Sequence, residues 1–147
     1  MNMITNNKYA KYLNYSKNYA QLPNKYILEN TNGCGSGWTA KLIPDRFFSI
    51  NFKICCRIHD LDYKLSNSKK WADKRLRRNM KAIAKAYYKE EAKRLNISWW
   101  QVWKWDDLLD ADLQKKSVFT FADFFYRMVV LFGDEPWRDA QTEQQLG

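Results

Sequence analysis

A mostly α-helical chain is the fold class that this sequence predicts, on three observations. Apolar side chains recur at three- and four-residue spacing, most clearly at Leu76, Met80, Ile83 and Tyr87. Polar breaks separate such stretches, notably Ser66-Asn67-Ser68 and Gly133. Good helix-capping residues, Ser98 and Thr120, stand just before two aromatic runs.

The elements follow in chain order. Tyr9, Tyr12, Tyr15 and Tyr19 step by three, three and four, which predicts a short N-terminal helix with an aromatic strip, ended by Pro23. Asn30 to Trp38 reads as a loop. Pro44 precedes a helix expected over 45–65, with Phe47, Ile54, Ile58 and Leu61 near one face; proline suits a helix start because its missing N–H would be unpaired there. A second long helix is expected over 70–95. Its basic residues Lys74, Arg75, Arg77, Arg78, Lys81 and Lys85 cover much of the surface away from the apolar stripe. The short connection makes these two helices antiparallel neighbours. Ser98 opens a third helix carrying Trp99, Trp100, Trp103 and Trp105, followed by an acidic stretch over 106–114. Thr120 opens a fourth, Phe121 to Phe132, which Gly133 ends. The tail from Asp134 is expected to fray. Three segments result: an N-terminal helical piece over 1–30, a core over 31–95 and a C-terminal helical extension over 96–147.

Composition narrows the function. Of 147 residues, 46% are hydrophobic and 16% aromatic, enough for a packed core. No stretch reaches the roughly 18 to 20 apolar residues of a membrane span. The N-terminus has no apolar h-region, so no classical signal peptide is expected unless a mature chain has already lost one, and the chain reads as made in the cytosol, then phage- or virion-associated or released. The net charge of +9 is uneven: residues 1–95 hold 20 Lys/Arg against 7 Asp/Glu, and residues 96–147 hold 5 against 9. A basic body of this kind attracts anionic lipid or nucleic acid. Three cysteines, Cys34, Cys55 and Cys56, are too few for a disulfide-dense scaffold and fit either three free thiols or one bridge.

The chemistry concentrates around the one histidine. It stands in Cys55-Cys56-Arg57-Ile58-His59-Asp60-Leu61-Asp62-Tyr63, behind the glycine loop Asn32-Gly33-Cys34-Gly35-Ser36-Gly37. On a helix His59 and Tyr63 share a face, while Asp60 is rotated by about 100°. One helix can then carry a base and a neighbouring metal ligand. A hard cation such as calcium takes six to eight oxygens, more than one carboxylate gives. Gly33, Gly35 and Gly37 are spaced so that alternate carbonyls can turn toward one point. A histidine base also needs an acceptor on its far nitrogen, and the second helix offers Asp73.

These residues resemble the active-site pattern of phospholipase A2, C-C-x-x-H-D-x-C-Y behind a loop containing C-G-x-G, over roughly Gly33 to Met80. The short Tyr63–Asp73 linker is similar to the compact microbial and viral forms. The resemblance implies a pair of antiparallel catalytic helices with a glycine calcium loop. It implies calcium held by Asp60 and the carbonyls of Gly33, Gly35 and Gly37. It implies His59 as the base that activates water, Asp73 orienting it, Tyr63 bonding that aspartate and the Gly35 N–H aiding the oxyanion. It also implies a Cys34–Cys56 bridge. The reaction implied is calcium-dependent hydrolysis of the sn-2 ester of phospholipids. The chain departs from the family where Asp62 replaces the half-cystine after His-Asp.

Several features stand outside that pattern. Trp38, beside the loop, is a candidate lipid contact, and Lys74, Arg77 and Arg78 are candidates for lipid or another partner. An anionic membrane surface is the expected partner. The aromatic C-terminal helices offer a surface for a protein partner. Nucleic acid ranks below these because no base-reading module accompanies the basic helix. The alternative reading is a non-enzymatic basic binding protein, a phage accessory or host-factor inhibitor on the same scaffold.

Overall fold

A computed structural model describes residues 1–34, 45–95 and 105–146. The described residues are mostly helical. After two 3-10 turns, Ala10–Tyr12 and Lys17–Gln21, come α1 (Asn24–Glu29) and a two-stranded antiparallel hairpin, β1 (Arg46–Phe47) with β2 (Ile50–Asn51). Four longer helices follow: α2 (Lys53–Leu65), α3 (Lys69–Leu95), α4 (Trp105–Phe132) and α5 (Asp134–Leu146). Pro44, Ser98, Trp99, Trp100 and Trp103 lie outside the described residues, as does the side chain of Trp105.

The N-terminal segment corrects the expectation of one helix. Its asparagines bind backbone and turn the chain before a helix can propagate. Asn2 Nδ2 donates to the carbonyls of Tyr19 (2.6 Å) and Leu22 (2.9 Å). Asn14 and Asn79 of α3 exchange two bonds, of 2.7 and 2.9 Å. The segment is thus a strap pinned across the helices, with Ile4 fully buried in the core. Pro23 opens α1 rather than ending a helix.

The helix expected from Asp45 starts only at Lys53. Phe48 takes a positive φ of 51° in the hairpin turn, and Asp45 O accepts the amide of Phe52 (2.8 Å), which folds residues 45–52 back on themselves. Asn51 Oδ1 then accepts the Lys53 amide (2.9 Å) at the mouth of α2. The expected second helix is α3, and Ser66-Asn67-Ser68 is the break before it.

The C-terminal third differs more. Residues 105–132 form a single helix, within which Ser117 and Thr120 donate back to the carbonyls of Leu113 (3.0 Å) and Lys116 (3.1 Å) instead of capping. α4 packs along α3 through Val118, Ala122 and Phe125. The stretch after Gly133 is not frayed but forms α5, packed on α2. Asp134 and Glu135 in its first turn favour the positive end of the helix dipole. The core joins Ile27, Phe52, Ile58, Leu61, Leu76, Met80 and Ile83 with the N-terminal strap and α4.

Candidate active site

α2 carries the site because its buried face holds Ile54, Ile58 and Leu61 in the core and thereby fixes the neighbouring positions. His59, 7% exposed, has Nε2 at 2.9 Å from Asp73 Oδ1. Tyr63, one turn on, donates its hydroxyl to the same oxygen (2.8 Å), and its ring packs on the imidazole. Lys69 donates to the other oxygen, Oδ2 (2.9 Å). Burial pushes the Asp73 carboxyl up, but the hydrogen bonds from His59, Lys69 and Tyr63 outweigh it and hold the carboxyl below its ordinary range. An ionised carboxylate only accepts, so Nε2 carries the proton, and in the neutral imidazole Nδ1 is the nitrogen with the lone pair.

Asp60 stands beside the dyad, half-buried. Its Oδ2 accepts the Asn32 amide (2.9 Å) at the start of the glycine loop. Burial pushes its carboxyl up to about 6, against the pull of nearby His59, the Asn32 and Gly33 amides and Lys64. Gly33 has φ +93°, and a Cβ there would stand 3.1 Å from Asp45 Oδ1. A side chain at 33 is therefore disfavoured both by backbone angle and by space. Asp45 Oδ1 also takes the Cys34 amide (3.0 Å), and a Cys34–Cys56 disulfide ties the loop to α2. Cys55 is free and buried. Gly35, Gly37 and Trp38 lie outside the described residues.

His59, Asp60 and Tyr63 line a pocket of about 660 Å³ between α2, the C-terminal end of α4 and α5. Its apolar wall includes Phe125, Met128, Val129 and Pro136. None of Lys74, Arg77 and Arg78 lines it; they sit on the exposed side of α3, where Arg77 is held by Asp123 at 2.5 Å.

The sequence reading missed the parts that hold this site in place. Lys69 also donates to the Val129 carbonyl (3.0 Å), so it couples Asp73 to the end of α4. Its i,i+4 spacing from Asp73 was a visible signal. Gly133 does more than end α4: a Cβ there would run into Val129 O and the Tyr63 hydroxyl. From α5, Trp137 stands edge-on to the Tyr63 ring (5.3 Å), and Gln141 Nε2 donates to the carbonyls of Tyr63 (2.6 Å) and Ser66 (3.2 Å). One turn away from the dyad, buried Asp62 Oδ1 accepts from Tyr19 and from Arg75 Nη1, each at 2.7 Å. Arg75 therefore belongs to the interior, not to the basic surface. Its guanidinium stacks 3.3 Å over the Trp71 ring.

Comparison with known proteins adds no relative: no protein-family model, no curated protein and no solved structure matches this chain.

Proposed function

We propose that this chain is a compact, calcium-dependent esterase of phospholipase A2 type that hydrolyses the sn-2 ester of phospholipids. The observation that carries the reading is the His59–Asp73 pair, 2.9 Å apart, with His59 on the wall of a part-apolar pocket beside Asp60. A histidine with one nitrogen bound to an ionised carboxylate and the other left with its lone pair is built as a general base.

In this reading His59 Nδ1 takes a proton from water as the water attacks the ester carbonyl. Asp73 fixes the tautomer and favours the imidazolium that forms. Tyr63 and Lys69 keep Asp73 ionised and oriented. Phe125, Met128 and Val129 receive an acyl chain and exclude bulk water from the base.

The donor chemistry fits a hard cation. Asp60 is a carboxylate whose burial is answered, among the described residues, by the Asn32 and Gly33 amides and by nearby His59 and Lys64, and it touches the loop that carries Gly33. Asp60 and the carbonyls of Gly33, Gly35 and Gly37 would hold calcium. Bound calcium supplies Lewis-acid polarisation of the ester carbonyl. The Gly35 amide is assigned as a further donor to the oxyanion. An anionic bilayer is the surface that a net charge of +9 favours.

The test is fatty-acid release from phospholipid vesicles by the purified chain, with calcium and with chelator. Release that needs calcium is expected, and no release from any vesicle at millimolar calcium would overturn the reading.

A further inference from the structure

We propose that the outer face of α3 binds the phosphate backbone of a nucleic acid. The surface is a ridge of Lys74, Arg78, Lys85 and Lys89, all exposed. At about 100° per residue these four project opposite Leu76, Met80 and Ile83, the stripe that α3 buries. They span about 22 Å of straight helix at a rise of about 1.5 Å per residue.

Most other cations of α3 have acidic partners, Arg94 on Glu91 among them, while Lys70 and Lys93 make no ion pair among the described residues. Arg75 holds Asp62, Arg77 and Lys81 share Asp123, and Lys69 binds Asp73. The four ridge cations make no ion pair among the described residues. Asp73 is buried, and Glu90 and Glu91 follow the ridge rather than interrupt it. A row of unneutralised cations on an already basic chain is costly through self-repulsion, and a linear polyanion removes that cost by releasing its own counterions.

The shape of the surface chooses among polyanions. A helix that lies on a bilayer offers it an apolar face. The apolar face of α3 is in the core, and Trp71 is the one exposed large hydrophobic residue described on this helix. The ridge offers charge alone, in a line, which matches the repeating phosphates of a rod and reads no bases. The inference stands apart from the ester chemistry: no ridge residue lines the pocket.

The test is binding of the full chain to a mixed-sequence DNA duplex over a salt series. Contact with four phosphates gives a slope of log affinity against log salt of about −3.6, or roughly 100-fold weaker binding at 200 mM than at 50 mM salt. Lys74→Ala, Arg78→Ala and Lys85→Ala together should bring the slope to about −1. A second triple, Lys25→Ala, Lys53→Ala and Lys116→Ala, removes the same charge elsewhere and should leave the slope near the wild-type value. Swapping the ridge cations between lysine and arginine should also preserve it, and far-UV circular dichroism reports that each variant keeps its helices. Equal loss in both triples would mean net charge alone and would overturn the proposal. So would a ridge triple that loses binding to phosphatidylglycerol vesicles while the wild-type chain ignores the duplex.

Discussion

Two aspartates lie buried between α2 and α3, each bonded to a tyrosine hydroxyl and to a basic side chain, and they do different work. Asp73 accepts from His59, Tyr63 and Lys69, so both of its oxygens are used and its carboxyl is held low. Asp62 accepts from Tyr19 and Arg75 through one oxygen. Its Oδ2 finds no partner among the described residues, and burial pushes its carboxyl up despite Tyr19 and Arg75. The first group reaches the pocket through His59. The second is sealed by the N-terminal strap through Tyr19. A buried carboxylate with a phenol and a cation is therefore not a site by composition. What separates the two is an imidazole that lines the pocket.

The largest expected effect breaks the first group. His59→Gln should lower ester turnover by about 10²- to 10⁴-fold, the usual worth of a positioned base. Calorimetry should still find calcium bound, because Asp60 is a separate residue, whereas Asp60→Asn should abolish that binding with the fold retained.

Breaking the second group should instead cost stability. Arg75→Met leaves Asp62 in the interior with the Tyr19 hydroxyl but no cation, and removing one partner of a buried pair costs about 3–5 kcal/mol. Denaturant unfolding measures it, and a loss under about 1 kcal/mol would mean that the pair is not sealed as described.

The two aspartates should also differ in the sign of their pH dependence. Asp73, held low in the folded chain, contributes stability above its unfolded value, about 3.9, and that contribution is lost as pH falls through its lowered folded value. Asp62, held high, acts in the opposite sense: folding loses stability as pH rises from about 3.9 through its raised folded value. Stability-versus-pH curves of Asp73→Asn and Asp62→Asn, each subtracted from the wild type, should slope in opposite directions in those windows. Parallel difference curves would contradict the assignment.

Smaller effects sharpen the contact between the dyad and the C-terminal helices. Gly133→Ala forces a methyl group against Val129 O and the Tyr63 hydroxyl, an overpacking worth about 1–3 kcal/mol. It should lower turnover as well, since Tyr63 must shift. Gln141→Ala removes the bonds from α5 to the Tyr63 and Ser66 carbonyls and should cost about 1 kcal/mol in thermal unfolding.

The neighbouring helices α2 and α3 were legible in the sequence because their signals are local: an apolar stripe, a three-residue break, and His59 and Tyr63 at helical spacing ahead of Asp73 on the next helix. The structure brings those three side chains together. Asp62 was read only as a missing half-cystine, and its partner Arg75 looked like one more surface cation. Nothing local marks which arginine of a basic run points inward; the strap that seals the pair reaches Asp62 through Tyr19, 43 residues from that aspartate. The strap was misread as a helix because tyrosine spacing imitates a helical face, while asparagine side chains spent on backbone decide the turns. α5 was missed because its apolar contacts reduce to Trp137 and Ala140, too few for a periodic signal, with the rest of its hold supplied by Gln141 and by Glu143 on Lys64 at 2.6 Å.

The most direct test of the division between the two aspartates is the rate of fatty-acid release per folded molecule, with calcium, for Asp73→Asn and Asp62→Asn at a temperature where both remain folded. Asp62→Asn should keep the wild-type rate, and Asp73→Asn should fall by about tenfold or more, because the neutral amide no longer favours the imidazolium. Equal rates in the two variants, or a greater loss in Asp62→Asn, would contradict the account.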